Sequence, residues 1–474
     1  MEIASYFINL FNKKKLLQSK KKRDTKMIKE IFFKIVYIHV VILIFSCGGG
    51  DNSSEDVLTP TKSINVSQNE INFGSVLLNQ TSQTFSISVQ ANNISSDINF
   101  NTSNNFEVSS DNNNFSQSLS TSISTSTIIY VRFTPTSLGN INGKLTISSS
   151  ELSAVEVALQ GVGENKYNYQ TFSKQSLGFG GGFSQSAVKT FQLHDDLTNI
   201  EQIKMYLQIE CPSTGCDDWD RFANVKVKDS ETGNWYEIAR YITPYWVGTE
   251  LLERGLEFDV TDFKSLLNGA VELRIYIENW TAKADIVSID FDYIVGTPDY
   301  QNYAITEILN LHSNSISGIP YGVEHNLDLE KSIQIPSGAE KIEFRSIISG
   351  WGHATPYDFG GRGCAEWCFR NHFIKIDSAQ TFQHYMGSIG CASNPISNQN
   401  PGNWQPNRAG WCPGMAVPVR TDNLDISYSG KSITFEYELE DWTSDGAGGN
   451  AFYAVSTYIV LKSNNEISPA IVLN

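Results

Sequence analysis

Basic residues are scarce in this chain, and charged residues of any kind are fewer than the roughly 25% of an average soluble protein. Lys and Arg number 35 against 51 Asp and Glu among 474 residues, which gives a formal net charge of −16 with only 18% of residues charged. Ten of the basic residues lie within the first 46 positions, so the remainder is more acidic than the total indicates. An acidic surface repels phosphate backbones and anionic lipid headgroups. The composition therefore argues against nucleic acid as a partner and against a basic membrane-binding face.

The amino-terminal region also lacks an apolar run long enough to cross a bilayer. The run at 35–45 is shorter than the ~20 residues that a spanning helix needs. It follows Lys29 and Lys34 and ends in Ser46 and Cys47, which is the order of a secretory signal. The junction resembles a bacterial lipobox, and this resemblance implies a lipidated cysteine at the start of the mature chain. An ordinary signal peptide with an incidental cysteine is the alternative.

We therefore expect residues 1–46 to be a signal peptide. A start at Met27 leaves the compact basic region that such signals need, so 27–46 would be the natural signal and 1–26 an extension outside it. Residues 47–57 are expected to hold the lipidated cysteine and an acidic tether. The expected location is extracytoplasmic, with the lipid anchored in the outer membrane or at the cell surface, and the membrane is the expected partner of the anchor.

Six cysteines remain after the one assigned to lipid, and six cysteines allow fifteen pairings. The close sequence neighbours suggest the pairs Cys211–Cys216, Cys364–Cys368 and Cys391–Cys412. Disulfides are the default outside the cytoplasm. The alternative is a zinc site, because Cys364, Cys368 and His372 follow one another at a spacing of four and could supply three ligands, although structural zinc sites more often have a matching second half.

Residues 58–163 differ from the rest of the chain in composition. They contain no Trp, Cys or His and are rich in Ser, Asn and Thr. Period-two alternation recurs along them, for example at 84–89, and predicts a β-sandwich of about 100 residues. The phrases at 71–76, 131–135 and 159–163 resemble the Ig-like repeats of the ASPM/hydin type. This resemblance implies a spacer or adhesive module without catalytic chemistry.

All nine tryptophans lie from residue 164 onward. Short strand-like runs in this part are punctuated by Pro and Gly, which predicts all-β structure in two jelly rolls or sandwiches side by side. Strand patterning stops before 297–300 and restarts after it. The predicted domains are therefore 164–299 and 300–474.

Asp220 is the first candidate for acid–base chemistry. It lies just after the predicted disulfide loop, behind Asp217 and Asp218 and directly before Arg221. Neighbouring acids would raise the pKa of a carboxyl and Arg221 would lower it, so these groups could have separated pKa values suited to proton transfer. A calcium-type acidic loop or a solvated turn would have the same sequence.

Two further carboxylates are candidates. Glu278 follows the strand predicted at 271–277, on its polar face, and that face is either solvent-exposed or the floor of a cleft. Glu366 lies between Cys364 and Cys368, and a carboxylate held in so small a loop would be rigid, as a catalytic group needs to be. The tryptophans that could stack on sugar faces, or equally fill a core, are Trp280, Trp351, Trp367, Trp404, Trp411 and Trp442.

Several blocks identify a family resemblance over residues 165–474. The blocks, in order, are 216–221, 242–250, 259–267, 348–353, 362–370 and 408–418. They resemble the bacterial peptide-N-glycosidase F family of N-glycan amidases. The resemblance implies two antiparallel jelly rolls with the active site at their junction, and three disulfides paired as suggested above. It implies a principal catalytic carboxylate at Asp220 and supporting carboxylates at Glu366 and Glu278. Less directly, it implies substrate-binding or site-shaping roles for Arg221, Trp280, Trp351, His353 and Arg408. The chain departs from the family pattern at Phe222, where the family has Tyr.

The implied activity is hydrolysis of the amide between Asn and the first N-acetylglucosamine of an N-linked glycan. The substrates would be N-glycosylated proteins or glycopeptides, the enzyme a monomer, and no metal or organic cofactor is implied. Three alternatives stay open: a catalytically inactive glycan-binding lipoprotein, an endo-glycosidase that cuts between sugars, and a copper monooxygenase. The last needs several His and a Met at two copper sites, whereas the histidines here are scattered with no H-x-H pair.

Overall fold

The structure is a computed structural model that describes residues 61–312, 318–358 and 361–473. The predicted signal peptide, the predicted lipidation site Cys47 and the predicted tether lie outside the described residues. Within them, regular structure is almost entirely β, with three short 3-10 helices at Thr261–Leu266, Cys391–Ser393 and Ile426–Tyr428. None of the helices in this part of the chain has the length and hydropathy of a membrane-spanning segment.

The first nine strands build a β-sandwich of two sheets. They are β1 Ser63–Val66, β2 Glu70–Leu77, β3 Phe85–Asn92, β4 Ile98–Thr102, β5 Phe106–Ser109, β6 Ser118–Thr121, β7 Ser126–Phe133, β8 Gly139–Ser149 and β9 Leu152–Glu164. One sheet has the order β1-β3-β7-β5 and the other β2-β9-β8-β4-β6. Between them pack the rings of Phe73, Phe106 and Phe133, with centroids 4.9 to 5.7 Å apart.

The next nine strands form an antiparallel jelly roll. They are β10 Lys166–Gln170, β11 Gln175–Leu177, β12 Ser186–Gln192, β13 Ile200–Glu210, β14 Phe222–Lys228, β15 Trp235–Ile242, β16 Leu256–Asp259, β17 Ala270–Ile277 and β18 Asp285–Val295. One sheet has the order β10-β18-β13-β16, with β11 also on β18, and the other β12-β17-β14-β15. In β13 every second side chain from Ile203 to Ile209 is buried, as period-two alternation requires.

A second antiparallel jelly roll follows. Its strands are β19 Asn302–Leu311, β20 Ile319–Pro320, β21 Glu330–Gln334, β22 Lys341–Ala354, β23 Cys364–Ala365, β24 Asn371–Ile376, β25 Ala379–Tyr385, β26 Val419–Leu424, β27 Ser432–Leu439, β28 Ala451–Ser463 and β29 Ile471–Leu473. One sheet has the order β19-β28-β22-β23, with β20 on β28 and β26 on β22, and the other β25-β24-β27-β21-β29. The predicted all-β architecture of two jelly rolls after a β-sandwich is confirmed.

An apolar cluster joins the two jelly rolls. Phe222 and Tyr276 of the first and Trp351 and Trp411 of the second belong to it, and all four are at most 5% exposed. The rings of Trp351 and Trp411 stack with centroids 4.3 Å apart. Since large aromatic side chains contribute much of the apolar area in a core, this cluster holds the strand ends of both jelly rolls in fixed positions.

A buried ion pair lies in the same junction. Glu237 and Arg240 of β15 are fully buried and pair at 2.8 Å. Arg240 also donates to the Ser349 hydroxyl at 3.0 Å and to the Ala454 carbonyl at 2.7 Å, both in the second jelly roll. Burial alone would raise the pKa of Glu237, but Arg240 and His312 hold it well below its usual range. Breaking such a pair costs about 3–5 kcal/mol, so it fixes how the two jelly rolls meet.

Candidate active site

Asp220 lies in a loop that is held at both ends. The disulfide Cys211–Cys216 closes its first part, and after it Arg221 donates to Asp217 at 2.6 Å. The Asp220 side chain is only 11% exposed. This burial raises the pKa of Asp220 to about 6, even though Arg408 acts to lower it. A carboxyl with such a pKa can take up and release a proton near neutral pH, as an acid–base catalyst must.

Arg408 connects Asp220 with Glu366. Its Nη2 lies 3.1 Å from Asp220 Oδ2 and its Nε lies 3.4 Å from Glu366 Oε1. The guanidinium is 1% exposed and lies over the rings of Trp367 and Trp411, at 4.5 and 5.0 Å from their centroids. A buried cation between two carboxylates favours the ionised forms of both and can stabilise further negative charge that develops beside it.

Glu366 is positioned by its own backbone. The disulfide Cys364–Cys368 encloses it, its N–H donates to the Gly352 carbonyl at 3.1 Å, and its carbonyl accepts from Ala409 at 2.7 Å. These bonds tie the loop to β22 and to the segment that carries Arg408. The rigidity expected from the cysteine spacing therefore has a second cause, which is pairing with residues distant in sequence.

His353 is the second partner of the Glu366 side chain. Its Nε2 lies 3.0 Å from Glu366 Oε2 and also 3.0 Å from the indole nitrogen of Trp367. One ring nitrogen cannot donate to the carboxylate and accept from the indole in the same state, so the tautomer selects the partner. The contact with Glu366 raises the pKa of His353. The imidazole is exposed enough to meet a substrate, with 59% of its side chain accessible.

Tyr245 belongs to the site, although sequence reasoning missed it. Its hydroxyl accepts from Arg408 Nη2 at 3.2 Å and is a hydrogen-bond partner of Asp220. Burial and the neighbouring Asp220 raise the pKa of Tyr245, so it stays a neutral donor. It lies in the block 242–250 that supported the family resemblance, but nothing in that block marks the tyrosine as a partner of Asp220.

Glu278 lies next to the end of the Asp220 loop through its backbone. It follows β17 directly, and its backbone N–H donates to the Phe222 carbonyl at 2.9 Å, two residues from Asp220. The side chain is 6% exposed. Exposure to solvent therefore varies along the polar face of β17. Glu272 is half-buried beside Lys228, whereas Tyr276 and Glu278 are buried.

The five residues named for substrate contact occupy different environments. Arg221 pairs with Asp217, so the cation that acts on Asp220 is Arg408 and not Arg221, contrary to the sequence-based expectation. Trp280 is 49% exposed, two residues after Glu278. Trp351 is 5% exposed, and its indole donates to Ser349 at 3.0 Å, so it is part of the junction core.

Comparison with known proteins assigns this arrangement to a family. The model for "Peptide-N-glycosidase F, C terminal" matches residues 321–460. A peptide-N(4)-(N-acetyl-beta-D-glucosaminyl)asparagine amidase F from Elizabethkingia miricola is 52% identical over 339 residues, which cover 71% of this chain and 96% of that protein. The chain belongs to the peptide-N-glycosidase F family.

Solved structures of the family agree with the architecture. The structure of PNGase F, a glycosylasparaginase from Flavobacterium meningosepticum, is 55% identical, matches with a TM-score of 0.65, and covers 66% of this chain and 100% of its own. PNGF-II shares only 14% identity, over 69% of this chain and 80% of its own, and its TM-score of 0.52 supports the fold alone.

Phe222, the residue at which the resemblance implies a departure from the family pattern, is fully buried in the junction cluster. The Arg240 guanidinium lies 5.2 Å from its ring centroid, and the His312 ring lies 5.7 Å away. Its side chain therefore packs in the core of the junction.

Among the described residues, the side chains considered as zinc ligands are already bonded to other groups. Cys364 and Cys368 are joined in a disulfide and so cannot be thiolate ligands. His372 is buried, with its Nδ1 2.6 Å from the Tyr437 hydroxyl. In the described ranges, the one cluster of three potential ligands consists of Asp358 and the same two cysteines. The third disulfide, Cys391–Cys412, completes the set suggested by the spacing.

Proposed function

We propose that this protein is an amidase that cleaves N-linked glycans from glycoproteins and glycopeptides. It hydrolyses the bond between the Asn side-chain amide and the first N-acetylglucosamine. The observation that carries the proposal is the buried Asp220 linked through Arg408 to Glu366. The relative named as an asparagine amidase, at 52% identity, supports the same activity.

The reaction needs water, a base and a proton donor. Ionised Asp220 accepts a proton as water attacks the amide carbon, and the new C–O bond places negative charge on the carbonyl oxygen. Arg408 lies 3.1 Å from Asp220 Oδ2 and is the cation available to stabilise that charge. Asp220 then returns the proton to the leaving nitrogen as the C–N bond breaks. The products are an Asp-containing peptide and a glycosylamine, which loses ammonia in water.

Other side chains orient the reactants. Glu366, held by Arg408 and His353, and Glu278, buried beside the Asp220 loop, orient the water and the first sugar. Trp280 and His353 are exposed enough to contact the substrate, Trp351 supports the floor of the site from the junction core, and Arg221 stabilises the loop through Asp217. The proposed mechanism uses side chains alone.

We further propose the organisation of the chain outside the catalytic part. Residues 1–46 act as a signal peptide and Cys47 carries a lipid that anchors the monomer to the outer membrane or cell surface. Residues 58–163 form an Ig-like spacer ahead of the jelly rolls at 164–299 and 300–474. The two-sheet topology of the sandwich supports the Ig-like interpretation.

Incubation with a denatured N-glycoprotein followed by mass analysis of both products tests the activity. The proposed amidase leaves Asp at the former glycosylation site. An endo-glycosidase would leave one N-acetylglucosamine on Asn, and a binding protein without catalysis would leave the substrate intact, so each alternative gives its own product.

A further inference from the structure

Three exposed aromatic residues lie on two loops that are hydrogen-bonded to each other near Glu278. Phe179, Phe183 and Trp280 are 50%, 40% and 49% exposed. The rings of Phe179 and Trp280 lie 5.1 Å apart, and Phe183 lies across the glycine turn from Phe179. We call these three residues the aromatic ridge. Exposed apolar residues that stand singly need no explanation, whereas a pair of exposed aromatic rings in contact, with a third on the same turn, is a candidate binding surface.

The aromatic ridge is held rigidly by backbone bonds. Phe179 donates to the Thr281 carbonyl at 2.8 Å, and Phe183 donates to the Gly180 carbonyl at 3.0 Å in a tight turn. Glycines 180–182 all have positive φ, which this turn requires. The segment therefore presents its two phenylalanines outward in a defined geometry, because the turn leaves no core position for either ring.

The aromatic ridge is continuous with the site. Trp280 lies two residues beyond Glu278, on the loop to which the phenylalanine turn is bonded. The same loop carries Lys283, whose ammonium pairs with Asp218 at 2.7 Å. Asp218 lies in the loop that positions Asp220. A substrate bound at Asp220 with its chain running past Trp280 would reach the two phenylalanines.

We infer that Phe179 and Phe183 bind apolar side chains of the polypeptide that flanks the glycosylated Asn. This inference deepens the proposed amidase function and rests on it. A sugar needs hydrogen-bonding side chains for its hydroxyls beside any stacking face, whereas the residues between the two phenylalanines are glycines. The rings of Phe179 and Trp280 are inclined by 59°, so they form a wedge suited to a branched or aromatic side chain and not a flat platform for a pyranose.

The aromatic ridge therefore makes the enzyme prefer apolar side chains in the residues next to the glycosylated Asn. Withdrawing the exposed part of one phenylalanine ring from water is worth about a tenfold gain in binding, or ~1.4 kcal/mol.

The test uses two synthetic glycopeptides with the same chitobiose-core glycan. One carries Leu, Val and Phe around the Asn-x-Thr triplet and the other carries Gly and Ser. The wild type should cleave the apolar peptide with about tenfold higher kcat/KM, mainly through a lower KM. The variant Phe179→Ser/Phe183→Ser should lose this preference and keep its rate on the polar peptide. Ile471→Ser, which removes a 56% exposed apolar residue on β29, should behave as the wild type.

The outcomes separate the inference from the function on which it rests. Failure of the wild type to release glycan from either peptide overturns the amidase proposal itself. Cleavage of both peptides at equal rates, or an equal loss on both in the double variant, overturns peptide recognition and in the second case points to the glycan core. If the double variant instead loses binding to phosphatidylcholine vesicles with unchanged kinetics, the aromatic ridge contacts lipid and the inference is wrong.

Discussion

Replacing Asp220 with Asn changes one buried carboxyl to an amide of nearly the same shape, and the structure predicts opposite effects on activity and on stability. The amide cannot accept a proton from water, so kcat/KM should fall by about 10²–10⁴-fold. In the wild type, kcat/KM should also fall as the pH drops below about 6, because burial raises the pKa of Asp220 to about 6 and the ionised form starts the reaction. This fall of kcat/KM at low pH should be absent in Asp220→Asn.

The effect on stability follows from the same pKa. The pKa of Asp220 rises from an ordinary 3.8 to about 6 on folding, and each unit corresponds to about 1.4 kcal/mol, so ionised Asp220 destabilises the folded state by roughly 3 kcal/mol. A raised carboxyl pKa favours folding at low pH, and this contribution is lost as the pH rises through about 6. Above pH 6, Asp220→Asn should therefore be more stable than the wild type. We expect a gain of about 1–3 kcal/mol, since Arg408 loses one of its partners.

Thermal unfolding measured from pH 4 to pH 8 tests this directly. The difference in Tm between variant and wild type should be near zero at pH 4 and grow to several degrees above pH 6. Asp218→Asn is the matched control from the same loop, because that carboxylate is 36% exposed and paired with Lys283. The control should show little stabilisation and keep most activity. A folded Asp220→Asn variant with full activity, or one destabilised at every pH, would refute the reasoning.

Other substitutions separate the roles of the neighbouring groups. Tyr245→Phe removes a hydroxyl that lowers the pKa of Asp220. The fall of kcat/KM at low pH should therefore begin at a higher pH, and kcat should fall roughly tenfold. If the pH profile does not move, Tyr245 does not lower the pKa of Asp220. Glu366→Gln should lower kcat nearly as much as Asp220→Asn. Glu278→Gln should lower kcat less, because Glu278 is proposed to act through water. Measuring kcat of the three variants on one glycopeptide tests this order. Cys47→Ala should transfer the protein from the membrane fraction to the soluble fraction, and a variant that stays acylated would contradict lipid anchoring.

Strand alternation allowed much of the fold to be predicted. The run at 271–277 placed Val271, Leu273 and Ile275 on one face, and all three are buried in β17. The same pattern could not decide the environment of Glu278. Its backbone pairs with Phe222 of β14, and pairing with a residue so distant in sequence does not contribute to local periodicity.

Sequence reasoning named Asp220, Glu366 and, through the family resemblance, Arg408, and the structure brings these three together, but local spacing pointed to the wrong cation beside Asp220. Local sequence placed Arg221 beside Asp220, yet the side chain of Arg221 turns to Asp217. The guanidinium beside Asp220 belongs to Arg408, 188 positions along the chain in the second jelly roll. Tyr245 was missed for a related reason, because neither its contact with Asp220, 25 positions away, nor its contact with Arg408 across the junction leaves a mark in residue spacing.

Hydrolysis in heavy-oxygen water tests the central claim most directly. The wild type is incubated with a single N-glycopeptide in H₂¹⁸O, and the peptide product is sequenced by mass spectrometry. The proposed chemistry predicts Asp at the former glycosylation site with one ¹⁸O in its side chain, together with release of the complete glycan. Unlabelled Asn that retains one N-acetylglucosamine would contradict the account and identify cleavage between sugars.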